Sequence, residues 1–99
     1  MVAEILKGIQ GFEWDEGNSG KNEKKHGITD REAEEIFFNK PFIIGRSRKG
    51  EPEVRYAALV KTYGSRLLAV VFTVRSKRIR VISARPMSRK ERKFYEEEG

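Results

Sequence analysis

The stretch RLLAVVFTVRSKRIRVISAR, from Arg66 to Arg85, constrains this chain more than any other. Leu67 to Val74 is an apolar run rich in β-branched and aromatic residues, and Arg78, Ile79, Arg80 and Val81 then alternate. These patterns predict two strands, with Ser76 and Lys77 at the turn between them. An apolar run of this kind suits a strand covered on both faces, which predicts a central place in a sheet. A tight hairpin puts Arg75 and Arg85 at opposite ends.

The flanking segments fill in an α+β plan. Lys7 to Trp14 alternates weakly, as an edge strand does. Asp15 follows and can cap a polar helix that begins with Glu16 and Asn18 and stops at Gly27, after His26. Thr29 and Glu32 form a TxxE capping box ahead of Ala33, Ile36 and Phe37, an apolar helical stripe ended by Asn39, Lys40 and Pro41. Phe42 to Ile44 reads as a short strand, Gly45 to Pro52 as a charged loop, and Val54 to Tyr63 as a longer strand. Ser88 and Glu91 make a second capping box, SxxE, for a final helix whose apolar residues are Phe94 and Tyr95. The expected architecture is one domain, residues 1–99, with a largely antiparallel sheet of four or five strands, two N-terminal helices and one C-terminal helix.

Charge locates the partner surface. The chain carries a net charge of +6. Between Arg75 and Lys93 nine Lys or Arg face a single acid, Glu91, so this segment holds +8 and the rest of the chain sums to −2. One-sided positive charge is the footprint of a surface that meets phosphates, although charge runs are also common on solvated faces. The absence of Cys excludes disulfides and thiolate metal sites, and a single His excludes a His-rich one. No run approaches membrane-spanning length, so a cytoplasmic protein without membrane contact is expected. The Walker, dinucleotide-binding, nucleophile-elbow and zinc-protease motifs are all missing.

Three sets of residues can carry chemistry. Histidine is the side chain suited to giving and taking protons near neutrality, and His26 stands beside Lys25, yet Lys and His before a Gly also suit a helix C-terminus. Glu53 and Arg55 share one strand face, either as an orienting carboxylate and its cation or as a plain surface pair. Arg75 and Arg85 can bind phosphate or remain surface charges. Arginines and a His suffice for metal-independent RNA cleavage, in which the ribose 2′-hydroxyl attacks the adjacent phosphate. Two other readings use the same surface: a noncatalytic nucleic-acid-binding module, and a protein-interaction partner only. No aromatic residue interleaves Arg75 to Arg92, which disfavours single-strand stacking.

Taken in order, FEWD (Phe12 to Asp15), Asn22, KHG (Lys25 to Gly27), EAEEIF (Glu32 to Phe37), Glu53 with Arg55, VVFTVR (Val70 to Arg75), IRVISAR (Ile79 to Arg85), SRKER and Tyr95 resemble the BrnT family, ribonuclease toxins of type II toxin–antitoxin systems. The resemblance implies a RelE-like fold, cofactor-free and metal-independent cleavage of mRNA that halts translation, and neutralisation by a DNA-binding BrnA-like antitoxin in a hetero-oligomer. Operator DNA would be met only through that antitoxin. Carried over by position, the catalytic set would be Lys25, His26, Glu53, Arg55, Arg75 and Arg85. Arg78, Arg80, Arg89 and Lys90 would extend the RNA-binding surface. Many relatives have a Lys where this chain has Asn18, and an Asp-Pro where it has Lys40 and Pro41.

Overall fold

A computed structural model describes residues 7–38, 42–46 and 54–98. The strands β1 (Gly11–Phe12), β2 (Phe42–Arg46), β3 (Arg55–Lys61), β4 (Leu67–Arg75) and β5 (Arg78–Pro86) form one sheet in the order β1-β5-β4-β3-β2. The helices are α1 (Lys21–His26), α2 (Asp30–Glu35) and α3 (Arg89–Glu98), with a 3₁₀ turn at Ile36–Phe38 after α2. β4 is central, as its apolar run predicts. Every pairing is antiparallel except β1 with β5, where Gly11 lies beside Arg78 and Phe12 beside Ile79. The expected α+β class, strand count and helix order all hold.

Alternation sorts the side chains of β3, β4 and β5 onto two faces. On one face Ala58, Val60, Leu68, Val70, Phe72, Ile79, Val81 and Ala84 are buried against Ile28, Ala33 and Ile36. Phe72 is the hub, with its ring centroid 4.9 Å from that of Phe37 and 5.4 Å from that of Tyr56. The opposite face holds a smaller cluster, Leu59, Ala69 and Met87, on which Leu67 and Tyr95 pack. A bulge preserves this division along β5. Val71 pairs with Ser83 and Phe72 with Val81, which leaves Ile82 as the extra residue. The inward set thereby passes from Ile79 and Val81 to Ala84, and the outward set from Arg78 and Arg80 to Arg85.

Local chemistry accounts for the ends of the elements. The Thr29 hydroxyl accepts from Glu32 N at 3.0 Å, and the Ser88 box closes both ways, Glu91 N to Ser88 Oγ at 3.2 Å and Ser88 N to Glu91 Oε1 at 2.8 Å. Gly27 caps α1 with φ 69°. The start of α1 corrects the sequence reading. It begins at Lys21, because Gly20 takes φ 74°, a left-handed conformation that interrupts a continuous helix from Asp15. Residues 16–20 are turns instead. The two outer ends of the longer strands are also shorter than expected, since Val54, Thr62 and Tyr63 lie outside β3, whereas β2 extends through Gly45 and Arg46. Asn39, Lys40, Pro41, most of the charged loop and Glu53 lie outside the described residues.

Candidate active site

Four of the expected functional arginines meet at one end of one sheet face. Residues paired across a sheet project to the same side, and the register aligns Arg55 with Thr73, Thr73 with Arg80, and Arg75 with Arg78. Arg55, Arg75, Arg78 and Arg80 thus share the face opposite the large core, beside the β4–β5 turn. Thr73 fastens the edge of this row by donating its hydroxyl to the Val54 carbonyl at 2.6 Å.

The FEWD segment supplies the counter-charge. Glu13 N donates to the Ile79 carbonyl at 2.8 Å, continuing the pairing of β1 along the rim of β5. Phe12 and Trp14 pack on the large core, and Trp14 Nε1 donates to Glu34 Oε2 at 2.6 Å. Alternation then turns Glu13 and Asp15 to the arginine face. Asp15 receives both Arg80 Nη1 and Nη2, at 2.9 and 3.0 Å, a forked charge-assisted pair. The Arg80 bond and the Gly17 N–H, 2.7 Å from Oδ1, hold the Asp15 carboxyl below its ordinary pKa. Asp15 in turn raises that of Arg80. Gly17 leaves room for the guanidinium, since a Cβ there would stand 2.8 Å from Arg80 Nη2 and push it aside. Glu13 Oε1 lies 3.4 Å from Arg80 Nη1 and 3.5 Å from Arg75 Nη1.

The remaining residues of the expected set lie elsewhere. Arg85 pairs with Ala69, at the end of the hairpin remote from the turn. Its guanidinium grips Glu91 through both nitrogens, at 2.7 and 2.8 Å, joining β5 to the first turn of α3. That grip is the main reason the Glu91 carboxyl is lowered to about 2, and it raises the Arg85 pKa. Lys25 and His26 are exposed in the last turn of α1. The carbonyls of His26 and Gly27 accept from Arg66, at 3.4 and 3.1 Å, and Arg66 also pairs with Glu32 at 2.9 Å. Arg66 immediately precedes β4 and Arg75 closes it, so roughly 25 Å of strand separates this end from the turn. Arg89 and Lys90 are exposed in the first turn of α3.

Asn18 and Asn22 explain how α1 reaches that remote end. β1 pairs with only two residues of β5, and the rest of that edge needs other partners. Asn18 Nδ2 donates to the carbonyls of Glu13 and Val81, at 2.9 and 3.1 Å, and Ala84 N donates to Asn22 Oδ1 at 3.0 Å. Both asparagines are buried. Asn18 is therefore built into the scaffold in this chain.

The structure thus brings together Arg55, Arg75, Arg78 and Arg80, and places Lys25, His26, Arg85, Arg89 and Lys90 away from the turn. Glu13 and Asp15 are the groups that sequence reasoning did not single out for this face. Their signal was available in the alternation of FEWD, apolar inward and acidic outward. Cations and a half-exposed carboxylate on an open face can bind a phosphodiester and move a proton. Among the described residues, no three His, Asp or Glu side chains are grouped as a metal-ligand set, and no helix is long and apolar enough to cross a membrane.

Comparison with known protein families matches most of the chain. The family model described as ribonuclease toxin, BrnT, of type II toxin–antitoxin system covers residues 14–91. No curated protein matches the chain.

Proposed function

The chain belongs to the BrnT family of ribonuclease toxins of type II toxin–antitoxin systems, and from that membership we propose that it is a metal-independent endoribonuclease that cleaves mRNA and so inhibits translation. The observation that carries this reading is the convergence of Arg55, Arg75 and Arg78 with Arg80 and two carboxylates on one open face at the hairpin turn. The arginines there supply the positive charge that a pentacoordinate phosphorane needs, in a geometry fixed by strand register. The ribose 2′-oxygen bonds to phosphorus as the bond to the 5′-oxygen breaks. A base takes the 2′-hydroxyl proton and the leaving oxygen acquires one, giving a 2′,3′-cyclic phosphate and a 5′-hydroxyl.

A general acid or base must come within hydrogen-bond reach of the reacting atoms. We therefore place the scissile phosphate at Arg55 and Arg75. Lys25, His26, Arg89 and Lys90 meet RNA flanking the cleavage site, and Arg85 serves by holding α3. Glu53, two residues from Arg55 in sequence, stays a candidate of the catalytic set. The family implies an antitoxin protein as partner. We propose that it is DNA-binding, that it forms a hetero-oligomer with this chain, and that it brings the complex to operator DNA.

Incubation of the purified chain with mRNA, with and without chelator, tests the reaction. Cleavage that survives chelation, ends in a 2′,3′-cyclic phosphate and is lost in Arg75→Ala is the expected result. Cleavage that requires a divalent cation overturns the mechanism, and salt-sensitive binding without cleavage overturns the assignment as an enzyme.

A further inference from the structure

We infer that Glu13 is the general base of the reaction, the group that takes the proton from the 2′-hydroxyl. The inference rests on the ribonuclease reading above and gives the carboxylate of FEWD a chemical role.

Three properties of the site lead to it. First, Glu13 is fixed in direction, because its backbone N–H donates to the Ile79 carbonyl and its neighbours Phe12 and Trp14 pack against the core. Second, it is reachable, with its side chain 35 % exposed between the guanidinium groups of Arg75 and Arg80. Third, those two arginines differ in exposure. Arg80 is 14 % exposed and clamped by both oxygens of Asp15, while Arg75 is 47 % exposed and reaches Glu13 at 3.5 Å. A phosphodiester can therefore reach the exposed Arg75 guanidinium beside Glu13, whereas taking Arg80 would break its forked pair with Asp15.

That asymmetry supplies a mechanism. When phosphate oxygens take Arg75, the Glu13 carboxylate is released from that contact. The phosphate now occupies the place next to Glu13 on Arg75, which sets the adjoining 2′-hydroxyl within reach of the carboxylate. Glu13 accepts the 2′-hydroxyl proton, the 2′-oxygen bonds to phosphorus, the bond from phosphorus to the 5′-oxygen breaks, and that oxygen takes a proton from water. Glu13 then releases its proton to solvent. Asp15 is unsuited to the same step, since Arg80 occupies both its oxygens and Gly17 N one of them. Asp15 and Arg80 act instead as positioning residues. Among the described residues, the charged groups that face Glu13 from the packed strands are Arg75 of β4 and Arg80 of β5.

The test compares Glu13→Gln, Glu13→Asp, Glu53→Gln and wild type in cleavage of a single-phosphodiester RNA from pH 4 to 8. A second measurement is binding of the same sequence carrying a 2′-O-methyl group, which cannot react. The expected result for Glu13→Gln is a loss of rate on the order of 10²-fold or more, and disappearance of the rise in rate with pH seen for wild type. Binding of the unreactive RNA should be equal or tighter, because the competitor for Arg75 has lost its charge. Glu13→Asp should keep the pH-dependent limb at a reduced rate. A residue that merely propped Arg75 would instead weaken RNA binding and leave the pH profile in place. Wild-type-like cleavage and pH profile in Glu13→Gln, or transfer of the limb's loss to Glu53→Gln, overturns the inference while leaving the ribonuclease reading intact. Absence of cleavage by wild type overturns the ribonuclease reading itself, and the base assignment with it.

Discussion

The two ends of the β4–β5 hairpin arrange their charges differently. At the remote end the cations are matched by acids or carbonyls: Arg85 grips Glu91, and Arg66 joins Glu32 to the C-terminus of α1. At the turn Glu13 and Asp15 also offset Arg75 and Arg80, but Arg75 stands directly across from Arg78, a cross-strand pairing of like charge. The turn residues Ser76 and Lys77 both have positive φ, 49° and 64°, where Asn and Gly are the favoured residues. One end is stapled for stability. The other concentrates charge and strain, as sites that must bind an anion do. The contrast separates two jobs that the arginines of one strand pair carry, and it predicts that substitutions at the two ends fail in different assays.

The largest effect should come from Arg75→Ala. Removing a cation aimed at developing negative charge typically costs 10²- to 10³-fold in rate, about 3–4 kcal/mol. Relief of the Arg75–Arg78 repulsion should leave the melting temperature unchanged or higher. A variant that cleaves at the wild-type rate, or one that unfolds early, breaks the assignment of the turn to function. Asn18→Ala should show the inverse pattern. It leaves the Val81 and Glu13 carbonyls without their buried donor, at a cost of about 1–3 kcal/mol in chemical denaturation.

Arg85→Ala comes next and carries a pH signature. The folded Glu91 carboxyl sits at about 2, below its ordinary value of 4.5, so the pair adds stability that is fully present above pH 4.5 and is lost as pH falls toward 2. Because the Arg85 side chain is 43 % exposed, solvent screening reduces the contribution to about 1 kcal/mol. Wild type should therefore lose stability over that acid range, and Arg85→Ala should lose less of it, having forfeited the pair already at neutral pH. Urea unfolding at pH 7 and pH 3 measures both quantities. Equal acid sensitivity of the two proteins counts against Arg85 as the staple.

Sequence patterning revealed the remote end's framework and the turn's position, but not which charges would meet. The apolar run of β4, the TxxE and SxxE boxes and Gly27 are local signals, each legible within a few residues. Asp15 reads locally as a helix cap, and its backbone carbonyl does accept from Asn18 and Ser19. Its side chain, however, is taken by Arg80, 65 positions away, a contact that no local pattern encodes. Arg85 reads as a cation near the end of a basic strand, whereas its partner Glu91 is the sole acid of that segment and is already engaged in the capping box. The edge role of Asn18 and Asn22 was equally hidden, because it exists only once β1 has paired with two residues of β5 and left the rest of the strand exposed.

The smallest effect tests whether the turn is strained by its backbone or only by its charge. Lys77→Gly removes a side chain from a residue at φ 64°, a conformation that costs a non-glycine residue about 1 kcal/mol. It also removes a positive charge beside Arg75 and Arg78. Lys77→Ala removes the same charge but keeps the Cβ, so the difference between the two variants isolates the backbone. Glycine should be the more stable by about 0.5–1 kcal/mol, read as a rise of a few degrees in melting temperature. Lys77 O accepts from Gln10 N at 2.7 Å, and this backbone bond ties the turn to the segment leading into β1 in either variant. If the two melt together, the left-handed turn is relaxed as it stands. The contrast between the ends of the hairpin then reduces to charge alone, with the arginines of the turn held apart by Glu13 and Asp15 rather than against a strained backbone.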